Sequence, residues 1–297
     1  MIKIAILGCD SSHTEAYTSL INLPSGPFYG VARVCWIWGE NNAQAHEKAA
    51  ALDIDHILAT PDLEMLKNAD MIMVVGRFGD SHYEPAIHAI SSGKPVFIDK
   101  PLTNNDEQAE ELVKLASTNG VPLMSFSPLR FSQEMIAMRK QHPSATIQSV
   151  IATSPMITRT IQDDRVNSIY FYSIHAVDML LSLVAKRPYA VYANKHSKGV
   201  WADIVFEDGR VSVLNLTVDQ PETYQVSVFD YNGHINNVNI DADGLFYQHT
   251  LSFLLDNHKN IKTAEAPLTE ALDSIRILAA VERSLIEQKK IILNEQL

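Results

Sequence analysis

Cysteine is scarce: Cys9 and Cys35 are the only two in 297 residues. That excludes a disulfide scaffold. The opening Met1-Ile2-Lys3-Ile4 runs into a strand pattern and lacks the three regions of a signal peptide, so a reducing cytoplasm is the expected compartment. No apolar run approaches the ~18 residues of a membrane span, and no membrane contact is expected. Basic residues are outnumbered, 24 Lys and Arg against 35 Asp and Glu, a net charge of −11. With no basic cluster to neutralise phosphates, the composition argues against nucleic acid and against an anionic membrane surface. His-Glu-x-x-His and Cys-x-x-Cys are missing, so no metal is expected, and the lack of Gly-x-Ser-x-Gly argues against a serine nucleophile. Polar tracts are missing too. With 46% hydrophobic and 8% aromatic residues, the chain reads as globular, long enough for two domains of about 100–200 residues.

What is present falls into two textures. Up to about residue 122, short β-rich runs alternate with helical patterns. Strands are expected at Lys3–Leu7, Val31–Trp38, Asp70–Val75, Pro95–Ile98 and Pro122–Phe126. Helices are expected at Asn41–Leu52, at Asp106–Thr118, and after two capping boxes, Ser12-His13-Thr14-Glu15 and Ser81-His82-Tyr83-Glu84. This alternation gives βαβ crossovers and a doubly wound parallel sheet, an α/β domain over 1–122. From 123 to 297 a helix at Ser168–Ala185 precedes five strand patterns, with Asp208-Gly209 and Asn232-Gly233 as hairpin turns. Helices at Leu245–Asn257 and Thr269–Gln288 close the chain. The second half is thus an α+β domain with a mostly antiparallel open sheet, whose closing helix (268–289) is expected to pack back on the first domain.

In doubly wound sheets, ligands sit beyond the carboxyl ends of the strands. After the first strand comes Gly8-Cys9-Asp10-Ser11-Ser12-His13, where a dinucleotide loop would read Gly-x-Gly-x-x-Gly. Only the first glycine is kept. Two readings fit: a remodelled phosphate loop with Ser11, Ser12 and His13 as added donors, or a helix cap supplied by Asp10 or Ser12. Glu40 follows the second strand, as a ribose acceptor that favours NAD over NADP or as a helix-start carboxylate. Gly76 and Arg77 follow the fourth apolar run. Arg77 reads as a phosphate or carboxylate ligand, or as the ion-pair partner of Asp80. Asp99-Lys100-Pro101 places a lysine at a buried strand end, where its amine is suited to proton transfer.

These residues resemble the glucose–fructose oxidoreductase / inositol dehydrogenase family (Gfo/Idh/MocA). The likeness is carried by Lys3–Gly8, Ser81-His82, Val96-Phe97-Ile98-Asp99-Lys100-Pro101-Leu102, Arg130-Phe131, Ser173–Asp178, Ala202–Leu216 and Arg276–Leu293. The resemblance implies an N-terminal Rossmann domain, a second domain whose open sheet forms homo-oligomers (a dimer or tetramer), and NAD or NADP. It also implies a sugar- or polyol-like substrate flanked by Lys100 and His175, with His175 moving the hydroxyl proton and Lys100 polarising the oxygen. His82 falls at the cofactor rim or in loop packing, and Asp99 and Pro101 beside the cofactor. Arg130 and Tyr172 are carried over as substrate ligands.

The departures are specific. Asp99 replaces the family's Glu, and Phe171 replaces the carboxylate one turn before the histidine. Asp178, three residues on, takes over as the group expected to orient His175. Residues 156–167 carry no readable substrate code. Asp10, His13 and Phe171 also fit a second reading, in which the chain has lost catalysis and binds a metabolite as a regulatory or assembly protein.

Overall fold

The computed structural model of the chain describes residues 1–61, 63–157, 165, 168–218, 223–241, 244–258 and 268–293. Its contacts divide into two units: residues 1–126 with 247–268, and residues 127–246 with 269–297.

The first unit is built from β1 (Ile2–Leu7), α1 (Ser12–Asn22), β2 (Ala32–Trp38), α2 (Asn42–Ala51), β3 (His56–Ile57), α3 (Leu63–Leu66), β4 (Met71–Val74), α4 (Tyr83–Ser91), β5 (Val96–Asp99), α5 (Asp106–Asn119) and β6 (Leu123–Phe126). The strands pair in the order β3-β2-β1-β4-β5-β6, every neighbour parallel. Order reverses between β1 and β4, the switch point where such sheets leave a crevice. Ile4 to Leu7 and Met71 to Val74 have no exposed surface, as an apolar run buried on both faces requires.

The expected elements are present, with shifted starts. α1 is capped by Ser11, whose hydroxyl accepts from His13 N, so the cap lies one residue before the expected box. Ser81 caps nothing: its hydroxyl donates to the Phe78 carbonyl, a 3-10 turn occupies Gly79–Ser81, and α4 begins at Tyr83. The boundary moves as well. β6 completes the parallel sheet, which carries the first unit to Phe126.

The second unit holds α6 (Gln133–Gln141), β7 (Ile147–Ile157), α7 (Ile169–Val184), β8 (Pro188–His196), β9 (Gly199–Phe206), β10 (Val211–Val218), β11 (Tyr224–Asp230) and β12 (Ile235–Ile240). After α8 (Leu245–Asn257), most of which groups with the first unit, come α9 (Leu268–Glu287) and β13 (Ile291–Ile292). α9 groups with the second unit from Thr269. The sheet order is β12-β11-β7-β10-β9-β8-β13. Both Gly-containing turns close antiparallel hairpins, β9–β10 and β11–β12.

The central strand β7 is absent from the sequence reading. Its Gln148, Ser149, Thr153 and Pro155 blur the alternation, and its partners lie more than sixty residues downstream. It pairs in parallel with β10 and antiparallel with β11, and α7 packs against it. The far face of this sheet is mixed rather than apolar: exposed Tyr192 and Trp201 stand among Asn194 and Asp203.

Candidate active site

In the first unit the ends of β1, β4 and β5 meet. Gly8 has φ +116°, and a Cβ there would overlap the backbone of Gly76, so both loops approach with bare main chain. Gly8 N donates to Trp38 O at 2.8 Å and Thr14 Oγ1 donates to Gly8 O at 2.9 Å, which fixes the loop at both sides. Asp10, in the second glycine position, turns its carboxylate to the Arg77 amide (3.1 Å). It thus ties two loops together and caps no helix. Ser11 is the cap, and Ser12 is exposed at the first residue of α1. Lys48 on α2 donates to Ser11 O (3.2 Å) and to Glu15 (2.9 Å). Glu40 is exposed just past β2. The Arg77 guanidinium lies 5.6 Å from the centre of the Phe78 ring, and among the described residues no ion pair joins it to Asp80.

His13, in the third glycine position, reaches to the end of β5. Its Nδ1 is 2.5 Å from Asp99 Oδ2. The ring stands edge-on to Tyr247 (5.1 Å) and Tyr17 (6.3 Å), two residues the sequence reading did not reach. Burial would raise the Asp99 carboxyl, but His13, then Lys100 and His82, more than offset this and hold it below the ordinary value. Its ionised form therefore stabilises the fold above about pH 4 and loses that contribution as pH falls through the lower folded value. Asp99→Asn is expected to flatten the acid side of the stability–pH curve. Urea melts between pH 3 and pH 7 check this, and an unchanged slope would remove Asp99 from acid denaturation.

Lys100 follows immediately and is 7% exposed. Of its two expected places, cofactor rim or loop packing, His82 has the contacts of the second. It is fully buried, with Nδ1 2.7 Å from the Pro101 carbonyl and Nε2 2.9 Å from the Gly76 carbonyl. It is a pin between the β4 and β5 loops and has no ring nitrogen left for a ligand. Pro101 is correspondingly held through its carbonyl oxygen.

In the second unit α7 carries His175, and the partner of its Nδ1 is Ser127 Oγ at 2.6 Å. The Tyr224 ring stands edge-on to the imidazole at 5.1 Å. Asp178 does not orient His175 directly, because its oxygens are taken. Oδ2 accepts from Arg130 Nε (2.9 Å) and from Ser127 N (3.2 Å), and Oδ1 accepts from Arg130 Nη2 (3.0 Å). Helical spacing put Asp178 on the right face, but buried Arg130 competes for it more strongly.

Arg130, expected as a substrate ligand, is engaged inside the fold. It is 1% exposed and its guanidinium also donates to Glu270 at 2.6 Å. Burial opposes its charge, but Asp178 and Glu270 outweigh burial and hold its pKa above the ordinary value. Tyr172 is buried beside Phe171, ring centres 4.8 Å apart. Residues 158–164, 166 and 167, most of the stretch expected to bear on the substrate, lie outside the described residues.

Ser127 and Glu270 were missed by the sequence reading. Ser127-Pro128 has the form of a helix cap followed by proline at the first helical position, a signal that was there to use. Glu270 left none.

Residues 2–127 match the profile of the oxidoreductase family with an NAD-binding Rossmann fold (GFO_IDH_MocA). Over those residues, less than half of the chain, the sequence is similar to that family. Among curated proteins, the uncharacterized oxidoreductase YhhX of Escherichia coli is 25% identical over 147 residues, 47% of this chain and 41% of YhhX. The matched stretch spans less than half the length of the curated relatives. Solved structures extend the likeness of fold to the rest of the chain. GenD2 of gentamicin A biosynthesis, in complex with NAD, superimposes with a TM-score of 0.80 at 16% identity, covering 99% of this chain and 96% of GenD2. The scyllo-inositol dehydrogenase of Lactobacillus casei gives 0.78 at 14%, covering 99% and 98%. The NAD-binding Rossmann fold that the profile describes supports a nicotinamide cofactor. No helix among the described residues is long and apolar enough to cross a membrane.

Proposed function

We infer that the protein is an NAD(P)-dependent oxidoreductase. It moves a hydride between a nicotinamide cofactor and the hydroxyl or carbonyl of a sugar- or polyol-like small molecule, with NAD preferred. The observation that carries this reading is the junction of three strand ends in a 3-2-1-4-5-6 sheet. There, bare backbone at Gly8 and Gly76 adjoins the buried Asp99-Lys100 pair.

Those residues fit a dinucleotide. The two glycines allow close backbone approach, and α1 starts a few residues past Gly8, at Ser12. The Asp10 charge, which would oppose a pyrophosphate, is drawn to the Arg77 amide. Gly8, Ser11, Ser12, His13, Gly76 and Arg77 would hold the phosphates, and Glu40 the adenosine ribose. Lys48, the basic residue of α2, is engaged by Ser11 O and Glu15, which favours NAD over NADP. A bound nicotinamide would supply the hydride donor or acceptor. Lys100 would polarise the substrate oxygen with its ammonium and exchange the proton that accompanies the hydride, and His175 and Tyr172 would be the second unit's contacts to the substrate.

The polyol class is supported by the fold shared with inositol dehydrogenases. The outer face of the second sheet, with Tyr192 and Trp201 exposed, is the surface through which a homodimer or tetramer would form.

Titration with NADH and NADPH, followed by cofactor fluorescence, is expected to show binding of both with NADH the tighter. No signal with either at millimolar concentration defeats the reading. Stable metabolite binding without NADH formation across a polyol and aldose panel would instead favour a non-catalytic binding protein.

A further inference from the structure

Ser127 has a hydroxyl with one proton and two lone pairs. One lone pair accepts the Leu129 N–H at 3.1 Å, the capping bond of the 3-10 turn Pro128–Phe131. The hydroxyl's other contact is Nδ1 of His175, at 2.6 Å. Ser127 has no exposed surface, and among the described residues no other acceptor meets its hydroxyl. The O–H therefore points at Nδ1. An Nδ1 that accepts a proton carries none of its own, so the neutral ring holds its hydrogen on Nε2.

We propose that Ser127 is a positioning residue that fixes His175 as the Nε2–H tautomer, so that His175 meets the substrate oxygen as a hydrogen-bond donor and not as the base that removes its proton. This rests on the reading of His175 as a group that touches substrate.

A carboxylate on Nδ1 would do the reverse. It would hold the proton at Nδ1, leave a lone pair on Nε2, and stabilise the charged ring that forms when Nε2 takes a proton. The one carboxylate nearby in sequence, Asp178, is bound to the Ser127 amide and to Arg130. It thus holds the main chain of the serine whose side chain holds the histidine. The Tyr224 ring edge-on to the imidazole limits its rotation. For His175 to act as a base, ring and hydroxyl would both have to reverse their protons, which leaves a buried O–H without an acceptor. A ring that presents N–H can donate to a hydroxyl or a carbonyl oxygen alike, so the proton that accompanies hydride transfer falls to another group, the Lys100 ammonium of the proposed function.

The test is a long-range proton–nitrogen correlation spectrum of the 15N-labelled full chain, with His175→Asn to assign the ring. The expected spectrum shows Nδ1 unprotonated and Nε2 protonated. Ser127→Thr, which keeps the hydroxyl, retains this pattern. Ser127→Ala, folded by circular dichroism, shifts the Nδ1 resonance. A proton on Nδ1 in the wild type overturns the proposal, as does an Nδ1 resonance unmoved in folded Ser127→Ala. If Ser127→Ala does not fold, Ser127→Thr decides, since loss of the pattern there also overturns it. Wild-type protein that binds neither NADH nor NADPH overturns the parent reading and with it the role. Protein that binds a nucleotide yet protonates Nδ1 overturns this inference alone.

Discussion

Asp178→Asn is expected to destabilise the protein by about 3–5 kcal/mol, the range found when one partner of a buried ion pair is removed. Asparagine keeps the shape and one acceptor but drops the charge. Arg130, 1% exposed, is then left with Glu270 as its carboxylate partner. Water cannot reach the guanidinium to compensate. The loss also propagates, because the Ser127 amide donates to the same carboxylate.

The measurement is the urea midpoint at constant slope m, which isolates stability from changes in the unfolded chain. A change below about 1 kcal/mol, the level of an exposed ion pair, would show that the network is solvated and not a buried anchor. A triple replacement of Arg130, Asp178 and Glu270 by apolar residues of similar volume is expected to cost less than Asp178→Asn alone. With every charge removed, no desolvated ion is left unpaired.

Lys100→Met is expected to lower turnover by about 10²–10⁴-fold, the usual contribution of a positioned acid or base. Methionine keeps the length and apolar stem of lysine and removes the ammonium. Cofactor affinity is expected to stay within about tenfold, ~1.4 kcal/mol, since the phosphate-facing groups belong to other loops. One side effect has a definite sign. Lys100 is among the groups that hold Asp99 low, so its loss lets the Asp99 carboxyl rise. NADH formation on a polyol and aldose panel reads the turnover, and NADH fluorescence reads the affinity. Unaltered turnover in the variant would take Lys100 out of the chemistry while leaving the dinucleotide site in place.

The parallel sheet was legible because its strands announce themselves: Ile4 to Leu7 and Met71 to Val74 are unbroken apolar runs, and helical patterns separate them. The hairpins were legible because Asp208-Gly209 and Asn232-Gly233 supply the positive φ that a tight turn needs, +83° at each glycine. β7 was not, because a strand paired on both sides by distant partners can afford polar residues that break the pattern. At the candidate site, strand-end logic singled out Gly8, Gly76, Asp99 and Lys100, which stand at the ends of β1, β4 and β5. It could not say which groups would engage His82 and Arg130, which bond to carbonyls and carboxylates inside the fold.

By itself the sequence determined where the chain becomes strand, helix or turn, and which residues stand at the strand ends. Those depend on periodicity and on backbone preferences acting over a few residues. Tertiary structure decided which partner each polar group received. Ser127 meets His175 across 48 positions, and Arg130 meets Glu270 across 140. The reason is burial. Once water is excluded, a polar side chain must bond to whatever group the fold brings within about 3 Å, and neighbours in space bear no fixed relation to neighbours in sequence.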